Sequence, residues 1–169
     1  MSPFILSQIL VGIAIVFDIL SFQFKERTKI VACLLVSCTL ISAHFMILGH
    51  WTAVCLGILA ALRFATSLFS TSKKVMLLFV AATVIVTAVS YNGLLSLLAG
   101  CGGCFGTVAS FCKDDKRLRQ LMLVGTSLWI VHNYLAGSPG AVLMEAIFIA
   151  SNLVGYIRYY ILPRKRILS

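Results

Sequence analysis

Apolar residues in this chain run in long blocks separated by short polar punctuation. Seven blocks can be placed, at about 3–24, 30–48, 51–71, 75–91, 93–112, 118–136 and 139–161. Each approaches the roughly 20 residues that a helix needs to cross the hydrocarbon core of a bilayer. Backbone in hydrocarbon must satisfy its own N–H and C=O groups, so the blocks read as helices. The connectors Lys25–Lys29, Gly49-His50, Ser72–Lys74, Asn92, Lys113–Arg117 and Gly137-Ser138 are too short for a soluble domain. They make successive helices antiparallel.

The polar punctuation repeats. His44-Phe-Met-Ile-Leu-Gly49 returns as His132-Asn-Tyr-Leu-Ala-Gly137, 88 residues later. The same offset pairs Gly12 with Gly100, Phe17 with Phe105, Lys25 with Lys113, Leu40 with Leu128 and Val54 with Val142. A fixed internal period decides architecture before any local reading does. Helices 1–3 and 5–7 match, and helix 4 has no counterpart. A unit with an odd number of spans needs one extra helix if its second copy is to insert in the same orientation. The expected fold is therefore an all-α integral membrane protein with seven transmembrane helices, built as two parallel three-helix repeats related by an axis along the membrane normal. The repeats span residues 1–72 and 92–163, the linker helix 73–91, and a basic tail 164–169.

Composition strengthens the membrane reading. Of 169 residues, 60% are hydrophobic and 11% charged, with a mean hydropathy of +1.03; soluble domains carry about 25% charged residues. The first block is long enough to be a retained helix rather than a cleaved signal. The net charge of +9 comes from 14 Lys and Arg. Every connector that carries them lies on one side of the seven-helix plan. Positive residues stay cytoplasmic, so the N-terminus is expected outside and the C-terminus inside. The tail Arg164-Lys165-Arg166 reads as a lipid-headgroup anchor, and no nucleic-acid partner is expected. All six Cys, at 33, 38, 55, 101, 104 and 112, lie in or at the edges of apolar blocks, as small helix residues and not as a disulfide framework. Cys101-Gly-Gly-Cys104 lies mid-span, and the GxxxG spacing of Gly102 and Gly106 points to close helix packing.

An ionisable or polar group within a span is a functional candidate. Asp18 and Arg63 sit at similar depths below the cytoplasmic face, so an ion pair acting as an inner gate is expected. Glu145 lies near the outer face, where His44 and His132 close helices 2 and 6 at repeat-equivalent positions; together they would form an outer vestibule able to bind solute. Asn152 is expected near the midplane, where transporters with repeats place their substrate. Two His and one Glu have no tight ligand spacing, so no metal is expected, and no cofactor or catalytic motif is present.

Trp129 through Gly140, with Met144-Glu145, Ser151-Asn152, and Ala43-His44 to Gly49 followed by Arg63, resembles the YgjV-type bacterial inner membrane protein family. The resemblance covers nearly the whole chain and implies a multi-pass protein of the bacterial inner membrane. The 3+1+3 plan with an outside N-terminus also resembles SWEET-type and MtN3-like carriers in topology. That likeness implies a hinge in the first helix of each repeat and midplane asparagines. Helices 1 and 5 lack the hinge proline, leaving Gly12 and Gly100 as hinges, and the residue aligned with Asn152 is Phe64. The resulting expectation is passage of a small polar, sugar-like solute by alternating access, without enzymatic chemistry. The alternative is a non-transporting assembly or sensing protein. The expected partners are the bilayer and a solute; oligomeric state stays open.

Overall fold

A computed structural model describes residues 2–48, 51–89, 91, 93–137 and 139–162. His50, Asn92, Ser138 and the tail 164–169 lie outside the described residues. Seven α-helices follow one another: α1 (Pro3–Ser21), α2 (Arg27–Ile47), α3 (Trp51–Phe69), α4 (Lys73–Val89), α5 (Leu94–Phe111), α6 (Asp115–Leu135) and α7 (Pro139–Tyr156), the last continued by a π-helical turn, Ile157–Ile161. There is no strand among the described residues. Four helical stretches are long and apolar enough to cross a membrane: Pro3–Ser21, Arg27–Ile47, Leu94–Phe111 and Ala141–Ile161.

Hydropathy located the helices but not their starts. The α2 and α6 helices begin three residues before the apolar blocks, because a charged first turn still has a helical backbone. Asp114 caps α6, its carboxylate accepting from the backbone N–H groups of Lys116 and Arg117 at 3.3 Å. Ser2 caps α1 through Ile5 N–H, and Pro3 opens that helix. The α6 helix stops where Gly137 takes a positive φ of 68°, which glycine adopts without a Cβ clash.

Apart from α3 and α4, neighbours in sequence pair as hairpins, and the ring then closes. The α1 helix packs on α2 and α7, α2 on α3, α3 on α5, α5 on α6 and α6 on α7, while α4 lies against α5. Two seams, α3/α5 and α7/α1, join the first three helices to the last three. Large apolar side chains such as Phe69, Leu78, Val89 and Leu143 point outwards and are exposed, the inverse of a soluble surface and suited to lipid. In lipid, apolar side chains gain little by meeting one another, so close packing and satisfied polar groups hold helices together. The packing is tight where side chains vanish: a Cβ on Gly102 would lie 2.8 Å from Trp129 Nε1, and one on Gly125 would lie 3.2 Å from the Gly102 carbonyl oxygen. Hydroxyl groups within the helices turn back to carbonyls one turn earlier, as in Ser42 to Cys38, Thr83 to Phe79 and Thr107 to Gly103.

A dense core of Phe22, Ile30, Val31, Leu34, Phe64, Ala109, Leu118 and Met122 occupies one end of the ring. It joins the C-terminal ends of α1, α3 and α5 to the N-terminal ends of α2 and α6, the end that carries the basic connectors.

Candidate functional site

Above that core, all seven helices line one cavity of about 570 Å³. Leu34, Phe64 and Met122 belong to both core and cavity and form its floor. Glycines of α5 (Gly100, Gly102, Gly103 and Gly106) leave much of one wall as bare backbone. Most of the remaining lining is apolar. Asp18, Arg63, His132 and Glu145 supply its ionisable groups, each from a different helix: α1, α3, α6 and α7.

The charged groups divide into two poles. At one, the Arg63 guanidinium donates from Nη1 to Thr107 Oγ1 at 3.2 Å and lies over the Phe64 ring, 4.7 Å from its centroid. Gly106 makes room for it: a Cβ there would sit 3.6 Å from Nη2. Arg63 Nε is buried with no hydrogen-bond partner. At the other, the Ser37 hydroxyl hydrogen-bonds the Asp18 carboxylate, and Asp18 and Glu145 lie within each other's electrostatic reach. Cys38 stands within the reach of both Arg63 and Asp18. Ion pairs within 4 Å among the described residues are Lys29 with Glu26 and Arg119 with Asp115. The expected Asp18–Arg63 contact is therefore not made: Asp18 turns to Ser37, and Arg63 turns across the α3/α5 seam.

The histidines separate as well. His132 reaches the cavity, its Nδ1 donating to Asn133 Oδ1 at 3.1 Å and its ring edge-on to Trp129 at 5.1 Å. His44 is buried away from the cavity in the α1/α2 seam, with Nδ1 donating to the Ser7 carbonyl at 3.0 Å. A vestibule shared by His44, His132 and Glu145 is thus not formed, because the Ser7 carbonyl takes the His44 ring. Asn152 is fully buried outside the cavity; Nδ2 donates to the Arg119 carbonyl at 2.9 Å. Its neighbour Ser151 donates to Ile19 O and accepts from Gln23 Nε2. Asn152 is therefore level with the end of α1 rather than midway along it, since α7 and its π-helical turn continue past that end. Gly12 faces open space, and Gly100 packs on Thr87 of α4; both lie inside continuous helices.

Sequence reasoning missed the two arginines that hold the basic end shut. Arg27, at the start of α2, donates from Nε to Cys112 O at 2.5 Å and from Nη2 to Ser67 O and Ser110 O at 2.6 Å each. It thereby closes the ends of α3 and α5. Arg119, in the second turn of α6 and 0% exposed, donates from Nη1 to Phe22 O at 2.8 Å and from Nη2 to Phe24 O, closing the end of α1. Gly155 admits that guanidinium, and Tyr159 lies beneath it at 5.5 Å. The last carbonyls of a helix lack partners within it and carry its negative dipole end, so a buried cation there satisfies both. The signal in the sequence was an arginine within the first two turns of the second helix of each half. Cys33, Cys38, Cys101, Cys104 and Cys112 are free thiols. No cluster of three or more metal-ligating side chains occurs among the described residues.

A family described as bacterial inner membrane protein, typified by YgjV, matches residues 5–162. The chain belongs to that family. It is 29% identical to the inner membrane protein YgjV of Escherichia coli (strain K12) over 167 residues, which is 99% of this chain and 91% of the relative. No solved structure matches it. Membership of the family places the apolar helices in the bacterial inner membrane.

Proposed function

We propose that this YgjV-family protein carries a small polar solute across the inner membrane by alternating access between two parallel three-helix repeats, α1–α3 and α5–α7, with α4 as linker. The observation that carries the reading is the central cavity, to which both halves contribute ionisable groups not tied up in ion pairs with each other. A purely structural bundle has no use for such groups, since buried charge is costly without a partner. The ring closes through two equivalent seams, α3/α5 and α7/α1, which supports a rocking axis between the halves. The basic connectors favour an outside N-terminus and a cytoplasmic C-terminus. In that orientation the core and the two arginines seal the cavity from the cytoplasm. No chemical step is part of the reading.

Counterflow in proteoliposomes tests it. Vesicles loaded with unlabelled sugars, amino acids or nucleosides should accumulate the labelled member of one class, and Glu145→Gln should abolish accumulation. Silence across the panel, with protein inserted and folded, would overturn transport in favour of an assembly role.

A further inference from the structure

The two poles of the cavity specify the charge pattern of what it holds. Arg63 is a permanent cation, its Nε is buried without a partner, and no carboxylate stands within 4 Å of it among the described residues. Its planar fork is suited to a carboxylate, which it can grip through two parallel bonds. The carboxylates of Asp18 and Glu145 line the same cavity and have no cation of the chain within that distance among the described residues. An ammonium, a compact charge with three donors, suits a space lined by carboxylates. The poles share one enclosure, with Cys38 under the influence of each. A neutral sugar would leave all three charges uncompensated in a largely apolar space, whereas a molecule charged at both ends compensates each pole.

We infer that the solute is a small zwitterion of the amino-acid type, its carboxylate held by Arg63 and its ammonium by Asp18 and Glu145. This rests on the carrier reading above and narrows it.

The test is counterflow with the full-length protein in liposomes, using three labelled mixtures. These are amino acids (including γ-aminobutyrate and simple dipeptides), the amines and carboxylic acids corresponding to their two halves, and neutral sugars. The zwitterions should exchange at least about tenfold faster than either half-molecule, since losing one partner of a buried charge pair costs that much or more. Arg63→Gln should remove that preference by lowering zwitterion exchange to the level of the amines, and Arg63→Lys should restore part of it. Each variant is compared at equal folded protein, judged by thermal unfolding in detergent. Exchange of sugars with zwitterions silent would overturn the solute class and leave the carrier standing. A zwitterion rate unchanged in folded Arg63→Gln would overturn the assignment of that pole. Silence for all three mixtures would overturn class and carrier together.

Discussion

Arg27 and Arg119 perform the same task on opposite halves of the ring. Arg27 binds the carbonyls of Ser110 and Cys112; Arg119 binds those of Phe22 and Phe24. The acceptors differ by the 88 residues of the sequence period, while the donors are one helical turn out of step. Each arginine thus ties the second helix of its own half to the first helix of the other.

Arg119→Gln should strongly destabilise the detergent-solubilised protein, because two buried carbonyls lose a charged donor. Hydrogen bonds to charged groups contribute about 1.5–3 kcal/mol each, so a loss of about 3 kcal/mol is expected. Arg119→Lys, which keeps the charge without the fork, should recover only part. Thermal unfolding followed by circular dichroism measures both; an unchanged midpoint in Arg119→Gln would show that the clasp contributes nothing.

Two glycines should respond oppositely to alanine. A Cβ at Gly155 would overlap the Phe22 carbonyl oxygen and the Arg119 guanidinium, whereas one at Gly12 would meet nothing within 4 Å. Gly155→Ala should cost about 1–3 kcal/mol through overpacking. Gly12→Ala should be neutral or add up to about 1 kcal/mol of helix propensity. The same unfolding measurement decides, and a tolerated Gly155→Ala would contradict the tight α1/α7 approach.

Asp18→Asn and Arg63→Gln should act independently on stability. With no ion pair between them, the double variant should equal the sum of the singles to within about 0.5 kcal/mol. A coupling several times larger would mean that the two side chains meet in the membrane after all.

Asn152→Ala should lower stability by about 1 kcal/mol, the scale of an interhelical hydrogen bond in a bilayer. It should leave the ranking of transported solutes unchanged, as the Asn152 amide faces Arg119 O outside the cavity. A changed ranking in counterflow would return Asn152 to the solute path.

Orientation can be read by thiol labelling in a background lacking the native cysteines. Tyr91→Cys, on the side free of basic residues, should react with an impermeant maleimide on intact cells, and Lys116→Cys only after permeabilisation. The reverse pattern would invert the topology.

The helices were legible because hydrocarbon imposes one rule along the whole backbone, and each apolar block had to obey it. Gly102, Gly106 and Gly137 were legible for a similar local reason, since spacing and turn chemistry depend on near neighbours. The site was legible only in part. Depth along each helix put Asp18 and Arg63 at one level, but depth does not say which way a side chain turns around its helix. Arg63 faced α5 and Asp18 faced α2. Asn152 was misplaced because it lies near the middle of the apolar block 139–161, whose far end continues past α1 as a π-helical turn with no signature in hydropathy. The arginine clasp was hidden by its acceptors, as backbone carbonyls carry no residue identity.

That last property bears on how such a clasp persists through mutation. A carbonyl oxygen belongs to the backbone and no substitution deletes it, while a guanidinium on a long stem can be offered from either of two successive turns. The acceptors therefore stay in register whatever the side chains, while the donor can sit on either of two turns. A search for paired arginines at a fixed spacing would overlook the relation, although the acceptors share one offset.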